Sequence, residues 1–562
     1  MYSIKLVARC RIYPMLGSVL ALLHVGACEY TEHLDVRPLP RGNVLATFDF
    51  EMSQVIGFDG GGLQNDVPAY NLFPRSLGQI MSESNTRELH LRFGQGWWDA
   101  EEWGVPPMNG ELVGGIGVEL WAWIAGNDEA AAWENWRQLT HALGGYFCAS
   151  LNFVDETVTT FPSENIHKPW GDKPANAWLM RGALPAEPIC TENLTPFLKL
   201  LPCKGKAGIS SLLDGHSLFS SRWQSMSVDA WHGGREHEIS LKQTVSNVMN
   251  TASRQDDVLP YATKKDELHC NTSKPWANDW TCFPIVPTEA KYSLSAIFGE
   301  TINGNCPAAS KSTVVIDAPQ NWSVNGTGER SFDLSGLESP FDLEISTSDN
   351  TFVSDTQAPN LFLDRSFSGW GQQSGGIRTV FTNTGDTALQ VSYLEMLPWF
   401  MRAYLHTLKF MGDGEVVNQS YVPSQERGRP TTMEMTILLP ANAHFAIEYN
   451  FDKSLLFIEE YPPDANHGFE VPPGIAVARP ITREAKPHGM SFYEVRTSSL
   501  LLSLPVPDFS MPYNVIILTS TVMAMAFATL INLMCRDVLP EDQVPPRESP
   551  LVKIKKKLGL SR

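Results

Sequence analysis

The chain has 562 residues, a net charge of -19 and a hydrophobic content of 43%. At roughly 100–200 residues per domain this length makes two to four domains, and the apolar content is enough for a real core. The acidic balance, with no basic stripe interleaved with aromatics, argues against nucleic acid as a partner.

The first 27 residues contain Lys5, Arg9 and Arg11 and no acid, then the apolar run Met15–Leu23, then Val25-Gly26-Ala27. The run is too short for a bilayer core of about 30 Å. With small residues behind it, it reads as a cleavable signal peptide spanning 1–27. Val25-Gly26-Ala27-Cys28 also fits a bacterial lipoprotein box, but that reading leaves no place for a second membrane segment.

Beyond it, Val44–Phe50, Glu88–Phe93, Val118–Trp123, Thr313–Asp317 and Ala446–Phe451 alternate apolar and polar residues. They are expected to be strands. Asp128–Leu143 carries apolar residues at helical spacing behind an acidic first turn and is expected to be a helix. Tyr70–Met81 and Leu394–Leu408 are weaker helix candidates. Pro and Gly clusters between the strands favour antiparallel sheets. The loop-like stretch at 303–312 is taken as a boundary. The expected architecture is mainly β with α+β elements, in two β-rich, sandwich-like lumenal domains: an α+β domain over 28–305 and a β-rich one over 306–510.

Val515–Met534 is uncharged for 20 residues, enough for one spanning helix, with Tyr513 at its rim. The span is placed at 511–535 and a basic tail at 536–562, where Arg536, Lys553, Lys555, Lys556 and Lys557 lie. Positive residues stay cytosolic, which makes this a single-pass type I protein with a lumenal body.

Seven cysteines lie between the signal and the span: Cys28, Cys148, Cys190, Cys203, Cys270, Cys282 and Cys306. An odd number leaves at least one unpaired within the chain. Cys148, in the apolar stretch YFCASLNF, could be that residue, buried and reduced; a Cys190–Cys203 bond is also open, and parity alone does not choose. Sequons fall at Asn193, Asn271, Asn321, Asn325 and Asn418, all on the expected lumenal side.

No GxSxG elbow, HExxH helix or phosphate-binding loop is present, and the Cys/His spacing fits no zinc site. His232, His237 and His269 read as solvated. Trp97, Trp98 and Trp103 could stack on sugars, but packing is the plainer role. Neither a metal, a cofactor nor a catalytic residue is assigned. A lumenal carbohydrate-active enzyme with unrecognised carboxylates and a glycoprotein-binding receptor stand as alternatives to a scaffold.

Several stretches are less generic: PAEPICTENLTPFLKLLPCKGKAGISSLL at 185–213, YFCASLNFVD at 146–155, DANHGFE at 464–470 and LSLPVPDFSMPYNV at 502–515. Together with RPLPRGNVLATFDF near the start and LEMLPWFMRAYLHTL at 394–408, they resemble the PIG-T family, a subunit of the glycosylphosphatidylinositol (GPI) transamidase. The resemblance implies a non-catalytic, glycosylated subunit of an endoplasmic reticulum membrane complex that attaches GPI anchors to proteins. It stabilises the assembly with its other membrane subunits. A separate caspase-like subunit supplies the catalysis, and the family's linking cysteine falls on Cys190. Asp508, Ser510 and Asn514, at the lumenal entrance of the span, are then candidate contacts for the GPI lipid, with Asn466 and His467 on weaker grounds.

Overall fold

The computed structural model describes residues 28–55, 57–58, 68–171, 176–233, 238–250, 268–270, 282–284, 290–325, 329–337, 340–347, 358–369, 373–462, 464–481, 492–505 and 510–535. The signal peptide, Asn271, Asp508, His237 and the basic tail lie outside these residues. The chain forms two compact units, the first reaching Leu504 and the second starting at Pro505.

The first unit has two lobes. One is a ten-stranded sheet. Its strands are β1 (Cys28–Leu39), β2 (Asn43–Val55), β3 (Thr86–Gln95), β4 (Gly117–Ala125), β5 (Thr159–Thr160), β6 (Ala177–Leu184), β7 (Trp223–His232), β8 (Glu238–Asn250), β9 (Lys311–Ile316) and β10 (Ser331–Asp333). They lie in the order β10-β9-β1-β2-β8-β7-β3-β4-β6-β5. Every pairing is antiparallel except β1 with β9. Period-two alternation sends Leu89, Leu91 and Phe93 of β3, and Val118, Leu120, Ala122 and Ile124 of β4, into one apolar core. Helices α1 (Arg75–Glu83), α2 (Glu129–Phe147) and α3 (Thr191–Leu200) supply the other half of that core, with Leu77, Trp136, Leu139 and Phe197.

The helix ends follow local chemistry. Asp128 caps α2, its carboxylate accepting from the Ala131 N–H at 2.8 Å. Cys148 closes α2 in the left-handed region at φ 53°. Helix α1 starts later than Tyr70 because Pro74 is its N-cap residue. Ahead of it the N–H groups of Asn71, Leu72 and Phe73 all donate to Gln54 Oε1, at 2.9–3.0 Å.

The second lobe is a sandwich built from β11 (Leu361–Ser368), β12 (Ser374–Asn383), β13 (Leu389–Leu397), β14 (Met401–Gly412), β15 (Glu415–Val422), β16 (Thr431–Leu439), β17 (Ala443–Lys453), β18 (Ile475–Pro480) and β19 (Tyr493–Arg496). One sheet runs β11-β12-β17-β14 and the other β15-β16-β13-β18-β19. Ile377, Phe381, Val391, Tyr393, Ile437 and Phe445 fill the space between them.

Two expectations are corrected. The run Leu394–Leu408 is strand, not helix: β13 ends at Leu397 and β14 starts at Met401. Pro398 sits between them and would interrupt any helix there. The boundary expected at 303–312 also falls elsewhere. Residues 311–316 and 331–333 add two strands to the first sheet, Cys306 bonds Cys203, and Val314, Trp322, Val324 and Ile345 pack into the first core. The second core starts at Leu361. Both lobes are built mainly of sheets: in the first, a three-stranded sheet contributes Tyr292, Val324 and Ile345 to the core of the ten-stranded one, and the second pairs two sheets.

Helix α4 (Ser510–Met534) stands in the second unit. Tyr513–Met534 is long and apolar enough to cross a membrane. Its Thr519, Thr521 and Thr529 hydroxyls donate to the carbonyls four residues earlier at 2.7–2.8 Å, which satisfies them within the helix.

Candidate functional site

Cys190 occupies the N-cap position of α3 in extended backbone conformation. Its N–H donates to Asn193 Oδ1 at 2.8 Å. The Asn193 amide nitrogen in turn donates to the carbonyls of Phe147 and Cys148, at 3.0 and 3.3 Å. One side-chain amide therefore ties the start of α3 to the end of α2. It leaves two free cysteines at this junction, Cys190 half-buried and Cys148 exposed. Cys148 is thus not the buried thiol that its apolar surroundings in sequence suggest: it is the left-handed cap, and its side chain faces outward.

Cys203 pairs with Cys306, closing a separation of 103 residues, and Cys28 is in a disulfide. The Cys190–Cys203 bond left open by the sequence is therefore not formed. The Cys190 Sγ–H donates to Glu192 Oε2 at 2.8 Å. That hydrogen bond to a carboxylate, more than burial, pushes the thiol up from its ordinary value. A thiol at a helix start would otherwise be drawn toward thiolate by the dipole. Glu192 opposes this and favours the protonated thiol.

Asn193 is 1% exposed, and both of its polar atoms are used inside the fold. A glycan on its nitrogen would break the junction. Asn321, Asn325 and Asn418 are exposed. Asn325 sits at φ 48° in a turn fastened to Glu344.

The residues expected near the span belong to both units. Ser510 opens α4, and Asn514 is exposed on its second turn. Asn466 and His467 are exposed in a turn of the first unit, where both N–H groups donate to Asp464 Oδ1 at 3.1 and 3.2 Å. Of the tryptophans, Trp98 packs edge-to-face with both Trp103 and Trp223, whereas Trp97 is 52% exposed and lines a cavity of about 560 Å³ between the lobes.

The sequence signalled nothing of a layer of buried charge where the second lobe covers the sheet. Residues alternating with the apolar set of β3 and β4 point there: Glu88, His90, Arg92 and Glu119. Arg181 of β6 and Arg496 of β19 both reach Glu119, the latter at 3.2 and 3.3 Å. Trp121, Trp123 and Leu179 then pack against Leu394, Ile475 and Val477 of the sandwich. Among the described residues, Glu88, His90 and His167 are a group able to hold a metal ion.

Fold, cysteines and span together define a membrane-anchored β-rich protein with a surface thiol at a rigid helix junction. The family described as "Gpi16 subunit, GPI transamidase component" matches residues 15–559, and the chain belongs to it. It is 39% identical to the GPI transamidase component GPI16 of Saccharomyces cerevisiae, over 92% of this chain and 89% of that one. It is 34% identical to the human GPI-anchor transamidase component PIGT, over 93% and 92%, and 32% identical to the PIG-T homolog of Schizosaccharomyces pombe, over 94% of each.

Proposed function

We propose that this chain is a non-catalytic scaffolding subunit of a GPI transamidase in the endoplasmic reticulum membrane, with residues 28–504 lumenal, and that Cys190 holds a caspase-like catalytic subunit by a disulfide. The observation that carries the reading is the state of the cysteines. Cys203 is bonded to Cys306, and Cys190 stands unpaired at the surface on a helix start fixed by Asn193. A tether at such a point makes each reassociation intramolecular, so a modest noncovalent interface suffices.

α4 anchors the scaffold. Asn514, exposed near the start of a mainly apolar helix, needs a polar partner at the membrane edge. A GPI headgroup supplies one, with Asp508, Ser510 and Asn466 in the same role. Asn321, Asn325 and Asn418 serve as glycan acceptors.

The test is a non-reducing gel of the detergent-solubilised complex, wild type beside Cys190→Ser, with mass spectrometry of any larger band. A reducible heterodimer with a caspase-like protein, absent from the variant, supports the tether. A single chain in both lanes, with unchanged activity, removes it. Asp508→Ala with Asn514→Ala should weaken GPI transfer with the complex intact; loss of assembly instead would make these residues packing contacts.

A further inference from the structure

We propose that Glu88, His90 and His167 form a zinc site that fastens the loop 163–171 between the two lobes. The inference stands on geometry independent of the scaffolding role. Glu88 and His90 lie two apart on β3 and so share its lobe-facing side. His167 comes from the loop that lies over them. One donor atom from each falls within 4.8 Å of the other two. His167 Nε2 is 3.4 Å from Glu88 Oε1, and His90 Nε2 is 2.8 Å from it. Ligands about 2.0–2.2 Å from a tetrahedral zinc lie about 3.3 Å apart. His167 already meets that spacing, and His90 reaches it by withdrawing about 0.5 Å.

The surrounding groups fix each ligand before any ion arrives. His90 Nδ1 is 2.6 Å from Asp229 Oδ1, so the carboxylate accepts a hydrogen bond from Nδ1–H and turns Nε2 toward the centre. Asp229 is itself held by Arg92. The second oxygen of Glu88 accepts from the N–H groups of Trp170 and Gly171, at 2.8 and 3.0 Å, leaving Oε1 for the centre. A carboxylate behind a ligating histidine and amides behind a ligating carboxylate are how metal centres are commonly oriented. Trp170 stands edge-on to His90 at 4.7 Å, and Trp121 flanks His167 at 5.4 Å. Side-chain exposure is 1% for His90, 4% for Glu88 and 14% for His167. An ion enters past His167, where a water completes the fourth position.

Two imidazoles and one carboxylate suit zinc. Without an ion, His90 bridges Glu88 and Asp229, its Nε2 2.8 Å and its Nδ1 2.6 Å from a carboxylate oxygen of each. Zinc takes the place of the Nε2 proton, which leaves to solvent. The consequence is structural. The same loop meets the second lobe through the Ser163 N–H on Glu434 at 2.8 Å, the Asn165 carbonyl on Arg479 at 3.1 Å, and Ile166 packed with Leu394, Ile475 and Val477. An ion at His167 therefore sets the register of one lobe on the other.

The experiment uses the full chain in detergent, purified without a polyhistidine tag and exchanged into metal-free buffer. Its metal content is read by inductively coupled plasma mass spectrometry, with zinc chloride as the added probe. Expected is one zinc per chain in the wild type, background levels in His167→Asn and Glu88→Gln, and a 10–100-fold weaker affinity in Asp229→Asn. Phenanthroline should lower the melting temperature of the wild type and leave that of His167→Asn, altered at the exposed rim, unmoved. A wild type that takes up no zinc and does not respond to phenanthroline overturns the proposal and leaves His90 as the bridge between Glu88 and Asp229. Zinc retained in full by both His167→Asn and Glu88→Gln also overturns it, placing the ion elsewhere.

Discussion

The two faces of the ten-stranded sheet are buried by opposite means. Toward the helices, Leu89, Leu91, Phe93, Leu120 and Ile124 meet Trp136, Leu139 and Phe197. Toward the second lobe, the residues between them on the same strands are Glu88, His90, Arg92 and Glu119, each 3% exposed or less. Burial of apolar surface is non-directional and holds the helices on at about 25 cal/mol per Å². Buried ion pairs add little net stability over an apolar equivalent, because desolvation offsets the attraction. They are intolerant of misplacement, however. The helix face thus stabilises the lobe, while the charged face dictates how the second lobe sits on it.

The largest effect should come from breaking the charged face at one point. Burial pushes the Glu119 carboxyl up, but Arg496 and Arg181 outweigh it and hold the group well below the usual carboxylate range. Glu119→Gln leaves two buried guanidiniums short of a partner and should cost about 3–5 kcal/mol in denaturant unfolding. Replacing Glu119, Arg181 and Arg496 together by apolar residues of similar volume should cost far less. A single variant no worse than the triple would end the contrast between the faces. On the helix face, Leu139→Ala should cost about 2–5 kcal/mol, with the charged pairs untouched.

A smaller, pH-dependent effect resides in Glu494, 2.7 Å from Arg496. Arg496 is shared by two carboxylates, and of the two Glu119 has Arg181 besides. Burial raises Glu494 from 4.5 to about 7, with Arg496 acting against the rise. Between these values the folded chain holds a proton that the unfolded chain has lost. The resulting stability is complete below the unfolded value and disappears as pH rises through about 7. Denaturation midpoints of the wild type should therefore fall between about pH 5 and about pH 8, a slope that Glu494→Gln should flatten. An unchanged slope in the variant would place the titration elsewhere.

The smallest effect concerns the thiol and not stability. Glu192→Gln removes the carboxylate that pushes the Cys190 thiol up. Alkylation of Cys190 near neutral pH should speed up several-fold with the melting temperature unchanged. Equal rates would show that Glu192 does not control this cysteine.

Much of the fold was legible because its strands carry their own period. Val44–Phe50, Glu88–Phe93 and Val118–Trp123 all lie inside observed strands, and Asp128 caps the helix expected behind it. Leu394–Leu408 was not legible, since its apolar residues fit either period and Pro398 decides against helix. The boundary at 303–312 misled because a loop in sequence says nothing about which sheet the next strand joins; β9 crosses back to pair with β1 in parallel. Of the candidate site, Cys190 was reached through its resemblance to a family. The cysteine count required an unpaired thiol without naming it. Asn193 reads as a glycan acceptor in sequence, and only burial shows it as the amide that joins two helices.

The sequence by itself determined what depends on neighbours along the chain: a basic, apolar start, period-two strands, capped helices, and an uncharged stretch of spanning length followed by basic residues. Only the tertiary structure decided what depends on residues far apart: the bond of Cys203 to Cys306, the exposure of Cys148, the meeting of Glu119 with Arg181 and Arg496, and the convergence of Glu88, His90 and His167. The physical reason is one of range. Backbone sterics, capping and hydropathy act over a few residues, whereas pairing of thiols and of buried charges is set by which strand lies beside which.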